Sequence, residues 1–150
     1  LWQRLKEGIN FGPLRDAAYF KHRFLENPLA HYRLWAVRQA SNLCGVFVTR
    51  TSTLTDGQLS CFLADWLLDP HVKGIFRFVL AHMIAENGGR HLNSYSFWAE
   101  RDWAAQQGLL RLGFVGRGRV PIIFFDNKES RSLDASGSKL EFTLATSDNI

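Results

Sequence analysis

Residues 59–89 read LSCFLADWLLDPHVKGIFRFVLAHMIAENGG, and this stretch decides the fold. Its first third carries apolar side chains on both parities, Leu59, Cys61, Leu63 and Leu67 on one and Phe62, Ala64, Trp66 and Leu68 on the other. A strand that is apolar on both sides must be covered on both, which predicts a sheet with helices on each face. Val72, Ile75, Phe76, Val79, Leu80, Met83 and Ile84 then recur at i, i+3, i+4 and i+7, the stripe by which a helix lies on a sheet. Asp69 reads as its N-cap, Pro70 as its first residue and Gly88-Gly89 as its stop.

Upstream, Leu14, Ala17, Ala18, Phe24 and Leu25 fall at helical spacing between Gly12-Pro13 and Asn27-Pro28, so a first helix is predicted there. Tyr32 to Val37 and Leu43 to Thr49 are rich in β-branched and aromatic residues about the turn Ser41-Asn42, which predicts an antiparallel hairpin. Downstream, His91 to Trp98 reads as a strand and Arg101 to Leu112 as a short helix closed by Gly113. Phe114-Val115 with Val120 to Phe125 reads as a hairpin, Asn127 to Ser138 as a polar loop and Leu140 to Leu144 as a last strand. The order is α, β-β-β, α, β, α, β-β. This is an α/β fold with a mixed central sheet, partly parallel through crossover helices, and one domain over 1–150 accounts for it.

At 150 residues and 17.1 kDa, with 46% hydrophobic and 21% charged residues, the composition excludes a disordered tail, a collagen-like repeat and a disulfide scaffold. No apolar run reaches the roughly 18 to 20 residues of a membrane-spanning helix, because Asp65 and Asp69 interrupt the most apolar stretch. A formal charge of +4 and a pI near 9.4 admit an anionic partner. The basic residues are scattered, however, and nucleic acid is not the expected partner. If the Thr53 to Gly57 loop closes a hairpin, Cys44 falls opposite Asp65 and Cys61 opposite Val48. That offset is too long for a disulfide, so two free buried thiols in a reducing, cytoplasmic compartment are expected. The chain opens on Leu1, without a signal-peptide pattern, and is expected to be a piece of a longer protein.

The turn from Leu67 and Leu68 through Asp69 into His71, Val72, Lys73, Gly74 and Ile75 is the first candidate site. Free N–H groups and the positive end of the helix dipole point outward at such a junction, where α/β folds hold phosphates. Lys73 and Arg77, opposite the apolar stripe, add positive charge. Asp65, a charge in the middle of an apolar strand, is costly unless paired or facing a cleft, and is the candidate general base. The histidines His22, His31, His71, His82 and His91 lack metal-ligand spacing, so no metal is expected.

The order of elements, with the window His71-Val72-Lys73-Gly74-Ile75-Phe76, resembles the GNAT superfamily of acetyl-CoA-dependent acyltransferases and its Gln/Arg-x-x-Gly-x-Gly/Ala pyrophosphate loop. Asp102, Ala105, Gly113 and Phe114 fall in step with a second family pattern, Asn-x-x-Ala-x-x-x-Tyr-x-x-x-Gly-Phe. Phe76 stands where the first pattern has a small residue, and Leu109 where the second has the tyrosine that frequently serves as general acid. The resemblance covers about residues 31 to 125. It implies a GNAT-like fold and acetyl transfer from acetyl-CoA to a small-molecule amine, with the co-substrate along Trp66, Leu67, Leu68, His71, Val72, Lys73, Gly74 and Ile75 and Asp65 as catalytic base. The alternative is a catalytically silent GNAT-like domain that supports a neighbouring active unit or binds a ligand. Arg23-Phe24-Leu25-Glu26-Asn27-Pro28 and Thr146-Ser147-Asp148-Asn149 are similar to a divergent GNAT-like subgroup, which implies an adjacent GNAT-like domain in the same chain.

Overall fold

The structure is a computed structural model, and it describes residues 1–6, 14–87, 92–97, 99 and 107–116. After a short turn of helix, α1 (Trp2–Leu5), the first helix expected from sequence forms as α2 (Ala17–Phe20) and continues as a wider π-helical turn over Lys21–Leu25. It is started by Asp16, whose side chain accepts from the Tyr19 N–H at 2.9 Å. Local capping chemistry thus sets the boundary, and the helix begins at Ala17, three residues inside the predicted start at Leu14.

Strands β1 (Arg33–Gln39), β2 (Asn42–Thr53), β3 (Leu59–Leu68) and β4 (Leu92–Ser96) form one sheet in the order β1-β2-β3-β4. The first two junctions are antiparallel. β3 and β4 are parallel, joined through helix α3 (Ile75–Asn87), as the crossover reading expects. β3 is central and its bounds agree with the apolar run.

On one face Ile75, Phe76, Val79, Leu80 and Met83 of α3 pack with Cys61, Leu63, Trp66 and Phe47. On the other, Phe20 and Phe24 pack with Val48, Ala64 and Leu67. Each large side chain so buried contributes about 1.5–3 kcal/mol, which makes the two-sided covering of β3 the main source of cohesion. Ile84, counted in the stripe from sequence, lies at its edge and is 51% exposed.

Three sequence expectations are corrected. Asp69 does not cap α3: its Oδ1 accepts the N–H of His71 at 3.0 Å, closing a local turn, and the helix begins only at Ile75. Pro70 and Val72 therefore lie in a turn and not in the helix. The β2–β3 register also differs, with Asp65 opposite Val48 and Cys61 opposite Thr51. The hairpin loop closes later, by hydrogen bonds between Leu54 and Gln58 and from Gly57 to Leu54, and Ala64 is an extra residue in β3 that forms a β-bulge. Cys44 and Cys61 are nonetheless both free and buried. Among the described residues no helix is long and apolar enough to cross a membrane. The expected Gly12-Pro13 start, the Gly88-Gly89 stop, the Arg101 to Gln106 helical turns, Val120 to Phe125, Asn127 to Ser138 and Leu140 to Leu144 lie outside the described residues.

Candidate active site

Backbone geometry builds the site. The β3–β4 ladder runs from Leu59–Leu92 to Phe62–Ser96, while β3 itself continues to Leu68. Over residues 63–68 the edge of β3 that faces away from β2 therefore has no β4 rung among the described residues. At the end of that edge the chain enters the turn 69–74. Gly74 takes φ +75°, a conformation costly for any residue with a side chain, and nothing lies within 4 Å of where its Cβ would stand. Its carbonyl accepts the first helical bond, from the Phe78 N–H at 3.0 Å. The N–H groups of Lys73, Gly74 and Arg77 have no partner among the described residues, as the start of a helix requires. Lys73, Arg77 and His71 are exposed, Val72 is half-buried, and Ile75 is buried beneath the turn.

Trp66 and Leu67 take opposite faces of the sheet, Trp66 toward α3 and Leu67 toward α2. The Trp66 ring lies 5.8 Å from Phe76 and 5.9 Å from Phe97, and Phe97 lies 5.1 Å from Phe114. Phe76 is 3% exposed and its ring points into this aromatic group. The bulky residue in the loop pattern is thus absorbed by the core and leaves the turn above Gly74 open. Leu109, where the second sequence pattern has a tyrosine, is likewise buried against the α3-side core and opens a single 3-10 turn (Leu109–Leu112) closed by Gly113, which takes φ +87°.

Asp65 lies directly after the bulge residue, on the α2 side, and has no solvent exposure. Its Oδ1 is 3.3 Å from Arg15 Nε, also fully buried, and accepts the Trp66 N–H at 2.8 Å. Its Oδ2 accepts from the Tyr19 hydroxyl at 2.9 Å. Burial pushes the Tyr19 phenol well above its ordinary value of 10.0, and the neighbouring Asp65 charge pushes it further. Arg15 and Tyr19 are unassigned in the sequence reading. The available signals were an aspartate in an apolar strand, which demands a partner, and a basic and a phenolic residue four apart at a helix start.

Asp69, at the far end of β3, is held by Arg4 at 3.1 Å, and Arg4 also donates to the Leu43 carbonyl at 3.0 Å. Burial raises the Cys61 thiol above its ordinary value, and burial with Cys61 beside it raises Tyr95. Among the described residues no group of three histidine, cysteine or acidic side chains is placed to hold a metal ion.

No protein-family model matches the chain, and no curated protein matches it. Solved structures do. An aminoglycoside acetyltransferase from an uncultured soil metagenomic sample, in complex with sisomicin, is 12% identical with a TM-score of 0.56, covering 85% of this chain and 84% of that one. A ribosomal-protein-alanine N-acetyltransferase from Brucella melitensis is 12% identical with a TM-score of 0.54, covering 75% of this chain and 82% of that one. An aminoglycoside N-acetyltransferase in complex with CoA is 14% identical with a TM-score of 0.53, covering 85% and 90%.

Proposed function

From the premise that this chain has the GNAT acetyltransferase fold, we propose that it binds acetyl-CoA at the β3–α3 junction and directs the acetyl group to a small-molecule amine. The observation that carries the reading is the open turn at Gly74. Its unpartnered N–H groups, the positive end of a 13-residue helix and two exposed cations suit a diphosphate. The residues present therefore fit the co-substrate, which supplies an activated thioester acyl group when bound. The turn from His71 to Gly74, with Lys73 and Arg77, holds the phosphates, and Ile75 supports the turn from below. The backbone edge of Leu67 and Leu68, which carries no β4 rung among the described residues, offers donors and acceptors to an amide-bearing arm, and Trp66 forms part of the apolar wall beside it. The expected cytoplasmic setting and a neighbouring GNAT-like domain belong to this proposal.

Asp65 enters the reading as the base that relieves the acceptor amine of its proton. Its carboxylate is engaged by Arg15, Tyr19 and a backbone N–H, so that role requires the trio to open. A second reading, a silent domain that binds acetyl-CoA without transfer, draws support from the enclosed Asp65 and the buried Leu109.

Titration calorimetry of the chain with acetyl-CoA tests the first step, with Lys73→Ala and Arg77→Ala expected to weaken binding severalfold each. No heat at millimolar ligand removes the acetyl-transfer reading and leaves a silent domain that supports a neighbouring unit. Thioester cleavage measured against a panel of amines separates transfer from silent binding, which predicts no amine-dependent release of CoA.

A further inference from the structure

Tyr95 and Phe97 of the β4 segment pack in the α3-side core. Alternation along the strand places Ser94 and Ser96 on the opposite, α2-facing side. There Ser94 Oγ lies 2.6 Å from Ser60 Oγ, one hydroxyl donating to the other across the parallel pair. Two residues further on, Ser96 Oγ is buried and has no hydrogen-bond partner among the described residues. Leaving a buried hydroxyl unsatisfied opposes folding, and a group kept in that state calls for an explanation.

Its position supplies one. Ser96 stands on the last rung of the ladder, opposite Phe62, beyond which β3 continues to Leu68 and the 69–74 turn paired with β2 and with no β4 rung among the described residues. The other buried groups in the same condition lie elsewhere: Trp2 Nε1 in the N-terminal helix, Tyr32 Oη before β1 and Asn87 Oδ1 at the end of α3. A ligand anchored by its phosphates at the turn and laid back along the β3 edge brings its far end to the last rung. In acetyl-CoA that far end is the thioester, whose carbonyl oxygen is an acceptor without a donor of its own.

We propose that the Ser96 hydroxyl donates a hydrogen bond to the acyl carbonyl oxygen of bound acetyl-CoA, completing in the complex a bond that no described residue supplies. This assignment rests on the acetyl-CoA reading above. It makes Ser96 a sensor of the acyl group and distinguishes the charged co-substrate from spent CoA.

The test is Ser96→Ala in the full chain, with Ser60→Ala as the comparison, read by thermal unfolding and by titration with acetyl-CoA and with CoA separately. Ser96→Ala gives up no partner among the described residues, so its melting temperature is expected to equal or exceed that of the wild type. Its affinity for acetyl-CoA is expected to fall about five- to tenfold, the value of one net hydrogen bond, with CoA affinity unchanged. Ser60→Ala breaks the Ser60–Ser94 bond and is expected to melt lower while binding both ligands as the wild type does. Equal losses for acetyl-CoA and CoA, or no loss for either, overturn the assignment while leaving the acetyl-CoA reading intact. A wild type that binds neither ligand overturns both.

Discussion

Replacing Asp65 with asparagine removes one charge and almost no volume, leaving the Arg15 guanidinium against a neutral amide where neither native side chain reaches solvent. Stripping one partner from a buried ion pair costs about 3–5 kcal/mol, because the remaining charge keeps its desolvation penalty and loses its compensation. In a chain of 150 residues each kcal/mol lowers the midpoint by about 2–4 °C, so the expected fall is roughly 6–20 °C. Arg15→Met on its own should cost a similar amount, since it takes the buried guanidinium away from the carboxylate that Tyr19 and the Trp66 N–H also hold. The double variant Arg15→Met/Asp65→Asn should be more stable than the two separate losses imply, with a coupling of a few kcal/mol, because no uncompensated charge remains. Thermal and denaturant unfolding of the wild type and three variants completes the cycle. Acetyl transfer measured on the same samples, below the melting temperature of the weakest, assigns the carboxylate's role. An Asp65→Asn protein that melts within about 2 °C of wild type, or two single effects that simply add, refutes the view that this trio holds the bulge. An unchanged midpoint with transfer abolished makes Asp65 a base and not an anchor.

Alkaline stability should follow Tyr19. Its folded pKa is raised, so from about pH 10 upward the unfolded chain loses this proton while the folded one keeps it, and stability declines as pH rises. Denaturant midpoints between pH 8 and pH 11 should show that decline, shallower in Tyr19→Phe; equal slopes in the two proteins contradict it. Gly45→Ala should destabilise by about 1–3 kcal/mol, because its Cβ would stand 2.7 Å from Leu68 Cδ2 and 3.2 Å from Ile75 Cδ1. Both neighbours flank the 69–74 turn, so weaker acetyl-CoA binding should accompany the loss, and a fully stable variant would show that the junction has room to give. Gly74→Ala meets no atom but must adopt φ +75°, costing about 1–2 kcal/mol; Gly74→Asn should recover much of that, and an Ala variant as stable as wild type contradicts the turn geometry.

The order of elements as far as β4 was legible because it depends on patterns repeated over many residues. Two-parity burial in 59–68 and the four-turn stripe that follows it allow few folds, and a mixed sheet covered on both faces is the one observed. The phosphate-turn candidate was legible for a local reason, since Gly74 beside a strand end and before an apolar helix states its conformation in its own neighbourhood. Register was not legible. A loop that closes later displaces the β2 partner of Cys61 from Val48 to Thr51, the inserted Ala64 adds one more residue of shift at Asp65, and neither leaves a strong compositional mark.

The same division runs through the site. Asp65 in an apolar strand announced by itself that a charge needed compensation. Only the folded chain decided between a cleft and a partner, by bringing Arg15 and Tyr19 across some fifty and forty-six residues of sequence to the same carboxylate. The bulk of Phe76 was likewise visible as a letter, but the direction of its ring was set by Trp66 and Phe97. Sequence determines what burial, charge and backbone freedom each position demands. Tertiary structure alone determines who meets that demand, because hydrogen bonds and ion pairs depend on ångström-scale distances between residues that chain order leaves far apart.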